Sequence, residues 1–171
     1  NKSLTPPTQN IAIWPLSKDK AKERATPPER MLLDAVERMG SFREGRIAAH
    51  IHFSKLQHHN RREHYLRIAA DNFEAQVKSY AGHIFLLSNG DLFFLGKDVE
   101  MYSLIEAVDK LRVLFSEDPL AQYHSSDDET GGFASYYDFE ENYDLLQQDV
   151  LILYKSMERL RKTKEATAAK N

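Results

Sequence analysis

Residues 83–97, HIFLLSNGDLFFLGK, restrict the fold more than any other stretch of the chain. Two apolar runs flank Ser88-Asn89-Gly90-Asp91, whose residue types favour a tight reversal, so the pattern predicts a β-hairpin with strands near 83–88 and 91–96. A polar tip between strands this apolar has two readings. It is either plain chain reversal or what remains of a catalytic hairpin.

The other elements follow from periodicity and punctuation. Thr26-Pro27-Pro28-Glu29 has the form of a helix start, with Thr26 as cap, proline at the first helical position and Glu29 completing a capping box. Met31, Leu32, Ala35, Val36 and Met39 then make one apolar face, and Gly40 is placed to stop the helix. Residues 45–56 alternate, with Ile47, Ala49, Ile51 and Phe53 on a buried face and Ala48, His50, His52 and Ser54 on a more open one. Leu66, Ala69, Ala70, Phe73 and Val77 fall at helical spacing and predict an amphipathic helix over about 61–80. Met101, Leu104, Ile105, Val108, Leu111 and Phe115 do the same for about 100–116. FASYYDF, residues 133–139, reads as an aromatic-rich strand. From about 141 to 164, Tyr143, Leu146, Val150, Leu153, Met157 and Leu160 step by three and four, a heptad-like seam of barely three repeats.

The order β-α-β-β-α-β predicts an α+β fold of the ferredoxin-like, split βαβ kind: an antiparallel sheet with helices on one face, plus N-terminal and long C-terminal helices. The expected organisation is a tail or linker at 1–25, a domain at 26–140, and a C-terminal helix and linker at 141–171. Within the tail, IAIWPL at 11–16 is apolar enough to predict packing on this domain or on a neighbour.

Bulk properties narrow the function classes. The net charge of −3 offers no global attraction to nucleic acid. With no cysteine there is no disulfide, thiolate nucleophile or Cys-ligated zinc. No apolar run approaches the roughly 20 residues that span a bilayer, and no signal-peptide pattern opens the chain. A cytoplasmic setting without membrane or nucleic-acid partners is therefore expected. Acidic residues gather at 117–149 and basic ones at 155–164, which reads as a solvated loop and a solvated helix end.

Two anchor points on this framework resemble the GGDEF domain, the palm-like module of bacterial diguanylate cyclases that make cyclic di-GMP. The resemblance covers roughly 46–117 and extends more weakly to 139. The family's first strand ends in a motif of the form D-x-D-x-F-K-x-I-N-D, and the matching stretch here is His52-Phe53-Ser54-Lys55-Leu56-Gln57-His58-His59-Asn60-Arg61. The signature G-G-D-E-F falls on Asn89-Gly90-Asp91-Leu92-Phe93. Asn60, at the position that reads guanine in the family, and Gly90 and Asp91 in the turn are kept in kind.

The departures from the family are chemical. Its metal-binding carboxylates would fall at His52 and Leu92, and Mg²⁺ needs oxygen ligands to neutralise a triphosphate. The first signature glycine is Asn89, and the loop after the first strand is several residues shorter than in the family. The family's product-inhibition motif R-x-x-D would fall at Tyr80 and His83 and is absent. The resemblance thus implies a degenerate domain that is not an enzyme and carries no cofactor.

Other constellations keep further readings open. Five of the 7 histidines lie within 50–64: His50, His52, His58, His59 and His64. His50 and His52 sit at i, i+2 on one strand face, with His58, His59 or Asp91 as a third ligand for zinc or another borderline metal. The bland alternative is polar side chains on an open sheet face. Arg61 and Arg62 near a helix start form a basic patch that either holds a phosphate or is simply solvated. The leading expectation is a non-catalytic regulatory or protein-interaction domain of a bacterial signalling protein. Its partner would be another protein or an adjacent output domain, or a second copy joined through 141–164. The alternative is a guanine-nucleotide sensor without turnover, using Asn60, Arg61, Asn89, Gly90 and Asp91. A metal site on His50 and His52 is the third.

Overall fold

The computed structural model describes residues 26–122 and 132–170. The tail at 1–25 and most of the acidic loop, including Asp127, Asp128 and Glu129, lie outside the described residues. The elements, in chain order, are α1 (Pro28–Met39), β1 (Arg46–Ile51), α2 (Glu63–Val77), β2 (Ala81–Leu86), β3 (Leu92–Lys97), α3 (Met101–Leu114), β4 (Ala134–Asp138) and α4 (Phe139–Lys170). Short 3₁₀ turns occupy Phe53–Lys55, His58–Asn60 and Pro119–Gln122. Among the described residues no helix is long and apolar enough to cross a membrane.

The result is an α+β domain on a four-stranded sheet ordered β2-β3-β1-β4, every neighbouring pair antiparallel. β1 sits inside the sheet, pairing with β3 through Ala49↔Phe94 and with β4 through Ala49↔Tyr136. The hairpin closes through Leu86↔Leu92, one residue pair nearer the strand bases than the apolar runs suggested.

The sheet is covered on both faces. On one, Ile47, Ala49, Ile51, Ile84 and Phe94 pack with α2 and α3. On the other, Ala48, Phe85, Phe93, Leu95 and Tyr137 meet α1 and the first half of α4. The expected open face of β1 is therefore a second core: every β1 residue from Ile47 to Ile51 is buried, His50 included. The physical reason lies in β3, whose LFFL run is apolar at both parities and so has to be dried on both sides. The expectation of helices on one face describes α2 and α3 only.

α4 supplies much of that second core. Tyr143, Leu146, Val150 and Met157 of the heptad-like seam are buried, whereas Leu160 remains exposed. The seam thus packs on the sheet and α1 of its own chain, and the expected boundary at 140/141 falls inside the first turn of α4. At Asn142 the helix breaks (φ −138°, ψ 42°), and the Asn142 side chain accepts a hydrogen bond from the Asp138 backbone N–H at 2.8 Å. The hydroxyl of Tyr137 donates to Asp149 Oδ2 at 2.8 Å, tying β4 to the helix that follows it. Burial, then the Asp149 carboxylate, pushes the Tyr137 phenol up.

Two local expectations at α1 are corrected. Thr26 is not the cap. Pro27 occupies that position with no side-chain cap bond, and Glu29 is buried and bonded to Ser88 instead of closing a capping box. Gly40 has ordinary helical dihedrals (φ −60°, ψ −23°), so left-handed freedom is not its use. A Cβ at Gly40 would lie 2.6 Å from the Tyr143 hydroxyl oxygen, and that hydroxyl donates to the Val36 carbonyl at 2.7 Å. The missing side chain makes room for Tyr143.

Candidate functional site

The hairpin tip is a three-residue loop. Leu87 N–H donates to the Asp91 carbonyl at 2.8 Å, Gly90 N–H donates to the Leu87 carbonyl at 2.9 Å, and Gly90 takes φ +96°, which glycine adopts without a Cβ clash. Asn89 shapes the last step, its Oδ1 accepting from Asp91 N–H at 2.9 Å. The tip therefore has a full conformational account.

Asp91, one step further, turns inward. It is only 2% exposed and accepts hydrogen bonds from His50 Nε2 at 2.7 Å, Ser54 N–H at 2.7 Å and Asn89 Nδ2 at 3.2 Å. Burial pushes its carboxyl up, but the hydrogen bond and charge of His50 and the Ser54 amide outweigh it and hold Asp91 below the usual carboxylate range.

His50, near the end of β1, and His52, the first residue beyond it, reach the same place, and their rings lie with centroids 4.0 Å apart. His52, half-buried, hydrogen-bonds through Nε2 with Ser135 Oγ on β4 at 2.8 Å. Burial, with the neighbouring His50 and Lys55 charges, lowers its pKa to about 3, so His52 is neutral at physiological pH. Among the described residues, His50, His52 and Asp91 bring one donor atom each to within 4.8 Å of one another. Asp91 is thus the third member, while His58 and His59 are exposed on their 3₁₀ turn.

Leu92, where the resemblance would put a second carboxylate, has no exposed surface and belongs to the α2/α3 core. Nothing at that position faces a ligand.

Asn60 stands in a different part of the surface. Its Nδ2 donates to Asp118 Oδ2 at 2.8 Å, and the buried Asp118 also accepts from Gln57 N–H at 2.8 Å and Leu120 N–H at 2.9 Å. Asn60 lines a cavity of about 410 Å³ between the start of α2 and the end of α3, together with Arg62, Tyr65, Ile68 and Phe115. Arg61 instead donates from Nε to the Leu56 carbonyl at 3.0 Å, so Arg62 is the arginine that lines this cavity. Asn89 lines a separate groove of about 340 Å³, with Glu29, Ser88, Arg161 and Lys164. The five residues expected to hold a nucleotide therefore do not share one cavity: Asn60 and Asn89 line different ones.

Sequence reasoning missed Ser135, Asp118 and Glu29. Asp118-Pro119 carries a turn signal, and Leu120 N–H bonding to Asp118 Oδ1 is the resulting Asx turn. The other links join residues 58 or more positions apart, which no local pattern reports.

No protein-family model, no curated protein and no solved structure matches the chain at a significant level.

Proposed function

We propose that this chain is a non-catalytic, GGDEF-like regulatory and protein-interaction domain of a bacterial signalling protein, built on a ferredoxin-like palm. The strand order β2-β3-β1-β4 with antiparallel neighbours and two crossover helices on one face supports the palm. The observation that carries the functional reading is the state of the three positions around the hairpin. Leu92 is core, His52 is a neutral imidazole bonded to Ser135, and Asp91 is turned inward and held by His50, Ser54 and Asn89. That arrangement offers no outward pair of carboxylates to hold Mg²⁺ on a triphosphate. Incubation with GTP and Mg²⁺, followed by chromatography for cyclic di-GMP, is the test. No product is expected, and turnover abolished by Asp91→Asn would overturn the reading.

The work left to such a domain is contact with a protein partner, an adjacent output domain or a second copy. With the buried part of the α4 seam engaged in its own domain, the surface left for contact carries Leu145, Leu151 and Ile152 away from the seam and Leu160 at the seam's exposed end. A light-scattering dilution series checks self-association, with Ile152→Glu and Leu160→Glu expected to abolish it without changing the melting temperature.

A second reading, a guanine-nucleotide sensor, draws on the Asn60 cavity. Because Asn60 Nδ2 is engaged by Asp118, its carbonyl oxygen remains to accept from a guanine N1–H or amino group, with Tyr65 and Phe115 as apolar walls. GTP, but not ATP, is then expected to raise the melting temperature, and Tyr65→Ala to remove the shift. Equal shifts with both nucleotides would remove the guanine assignment.

A further inference from the structure

At the end of β1 two imidazoles and a carboxylate converge. His50 comes from near the end of β1 and His52 from the residue just beyond the strand, and Asp91 comes from the base of the hairpin, next to the Ile51↔Leu92 pair. We propose that His50, His52 and Asp91 form a binding site for one borderline divalent transition ion of the zinc class. This goes beyond the regulatory reading and does not depend on it, since the three side chains converge whatever family the domain belongs to.

The donor set selects the ion. Two imidazole nitrogens and one carboxylate oxygen suit zinc and its first-row neighbours, whereas magnesium and calcium want oxygen throughout. Three donors held about 2.0–2.2 Å from one ion stand roughly 3.3–3.6 Å apart. The donors already lie within 4.8 Å of one another, so small rotations of the two rings close the remaining gap. Binding replaces the hydrogen bond between His50 Nε2 and Asp91 Oδ2 with two metal–ligand bonds, the Nε2 proton being released to solvent or carried on Nδ1, and keeps the same residues as neighbours.

The surroundings are those of a supported site. Asp91 Oδ1 is held by the Ser54 amide at 2.7 Å, which fixes the carboxylate while Oδ2 faces the histidines. Ser135 Oγ, 2.8 Å from His52 Nε2, stands where it orients that ring or carries a fourth, water-borne ligand. His50 and Asp91 are buried, and the half-buried His52 is the side from which an ion enters. Once bound, the ion cross-links β1 to the hairpin base beside β4, so its structural consequence is a tighter junction at the tip.

The experiment is a competition titration of Zn²⁺ between the whole chain and a chromophoric chelator, repeated with Co²⁺, whose visible spectrum reports coordination. Direct titration is preferred to melting because exposed and unfolded histidines also take up zinc. One ion per chain is expected. His52→Gln should weaken binding at least about 100-fold, and the paired His58→Ala, His59→Ala variant should leave it unchanged. Absence of stoichiometric binding, full binding by His52→Gln, or loss on replacing His58 and His59 would each overturn the site. Nitrogen NMR of the unaltered chain gives the same answer without relying on a variant that has to fold. The ring nitrogens of His50 and His52 should shift on zinc addition while those of His58 and His59 stay put. A response confined to the exposed pair would sink the proposal.

Discussion

Both carboxylate oxygens of Glu29 bond to Ser88: Oε2 accepts from the backbone N–H at 2.7 Å and Oε1 from the hydroxyl at 2.9 Å. The first turn of α1 thereby holds the hairpin tip across 59 positions of sequence. Glu29 is buried, so the bonds to its carboxylate are poorly replaced by water. Glu29→Ala should cost about 2–3 kcal/mol and Ser88→Ala about 1 kcal/mol, read from urea melts with unchanged slope. Hydrogen exchange should locate the effect. Amides of Leu87 and Gly90 should lose protection in Glu29→Ala before those of β1 do. Uniform loss across the sheet would mean that Glu29 supports the whole fold rather than the tip.

Gly40 and Tyr143 give a steric prediction. An alanine methyl at position 40 meets the Tyr143 hydroxyl oxygen at 2.6 Å, too close to stand. The ring has to move and with it the buried bond to the Val36 carbonyl. Gly40→Ala is therefore expected to destabilise by about 1–3 kcal/mol, although in an open helix the same change stabilises. Adding Tyr143→Phe removes the clashing oxygen, so the two changes together should cost less than their sum. A double-mutant cycle in urea measures that difference.

The existence of each strand and helix was legible because each is punctuated or periodic over enough residues. Proline and glycine bound α1 and the hairpin, and the 3.6-residue spacing of Ala69, Phe73 and Val77 marks α2. The second core was not read, although β3 signalled it: Leu92, Phe93, Phe94 and Leu95 are apolar at every position, and all four are buried. The seam on α4 illustrates an ambiguity of pattern. Apolar residues at steps of three and four serve a partner helix and a chain's own sheet equally well, and only the neighbouring elements decide. The functional positions divide in the same way. The alternation that brings the His50 and His52 rings together is local, whereas the placing of Asn60 and Asn89 on different cavities is set by the tertiary fold. Asp91 joins the two histidines from the hairpin base, one residue before β3, and its inward turn follows from the register at Ile51↔Leu92 rather than from any motif.

The His50–Asp91 pair has a stability that depends on what replaces the carboxylate. Removing it altogether leaves His50 and the Ser54 amide facing a buried gap, so Asp91→Ala should cost about 3–5 kcal/mol. An asparagine side chain in its place would retain one acceptor oxygen and a similar shape, so Asp91→Asn should cost roughly half as much. Chemical denaturation of the metal-free protein with a chelator present separates this term from any bound ion. Equal losses for the two variants would show that the charge, not the acceptor geometry, holds the hairpin base.

Asp118 supplies the acid dependence. Burial pushes its carboxyl up, but donation from Asn60 Nδ2 and the amides of Gln57 and Leu120, with the nearby His59, leaves it below the ordinary aspartate range. A carboxyl with a lower pKa folded than unfolded binds fewer protons when folded, so its contribution is present in full above the unfolded value, about 3.9. That contribution fades as pH falls through the folded value. Wild type should therefore lose stability below about pH 4, the range in which the unfolded aspartate takes up its proton first. Asp118→Asn keeps an acceptor but not the charge, so its deficit against wild type should be largest at neutral pH and shrink in acid. Asp91 titrates in the same direction and remains in both proteins, so the difference between their urea midpoints at pH 7 and pH 3 isolates Asp118. A deficit of constant size at the two pH values would assign the loop between β1 and α2 to hydrogen-bond geometry alone.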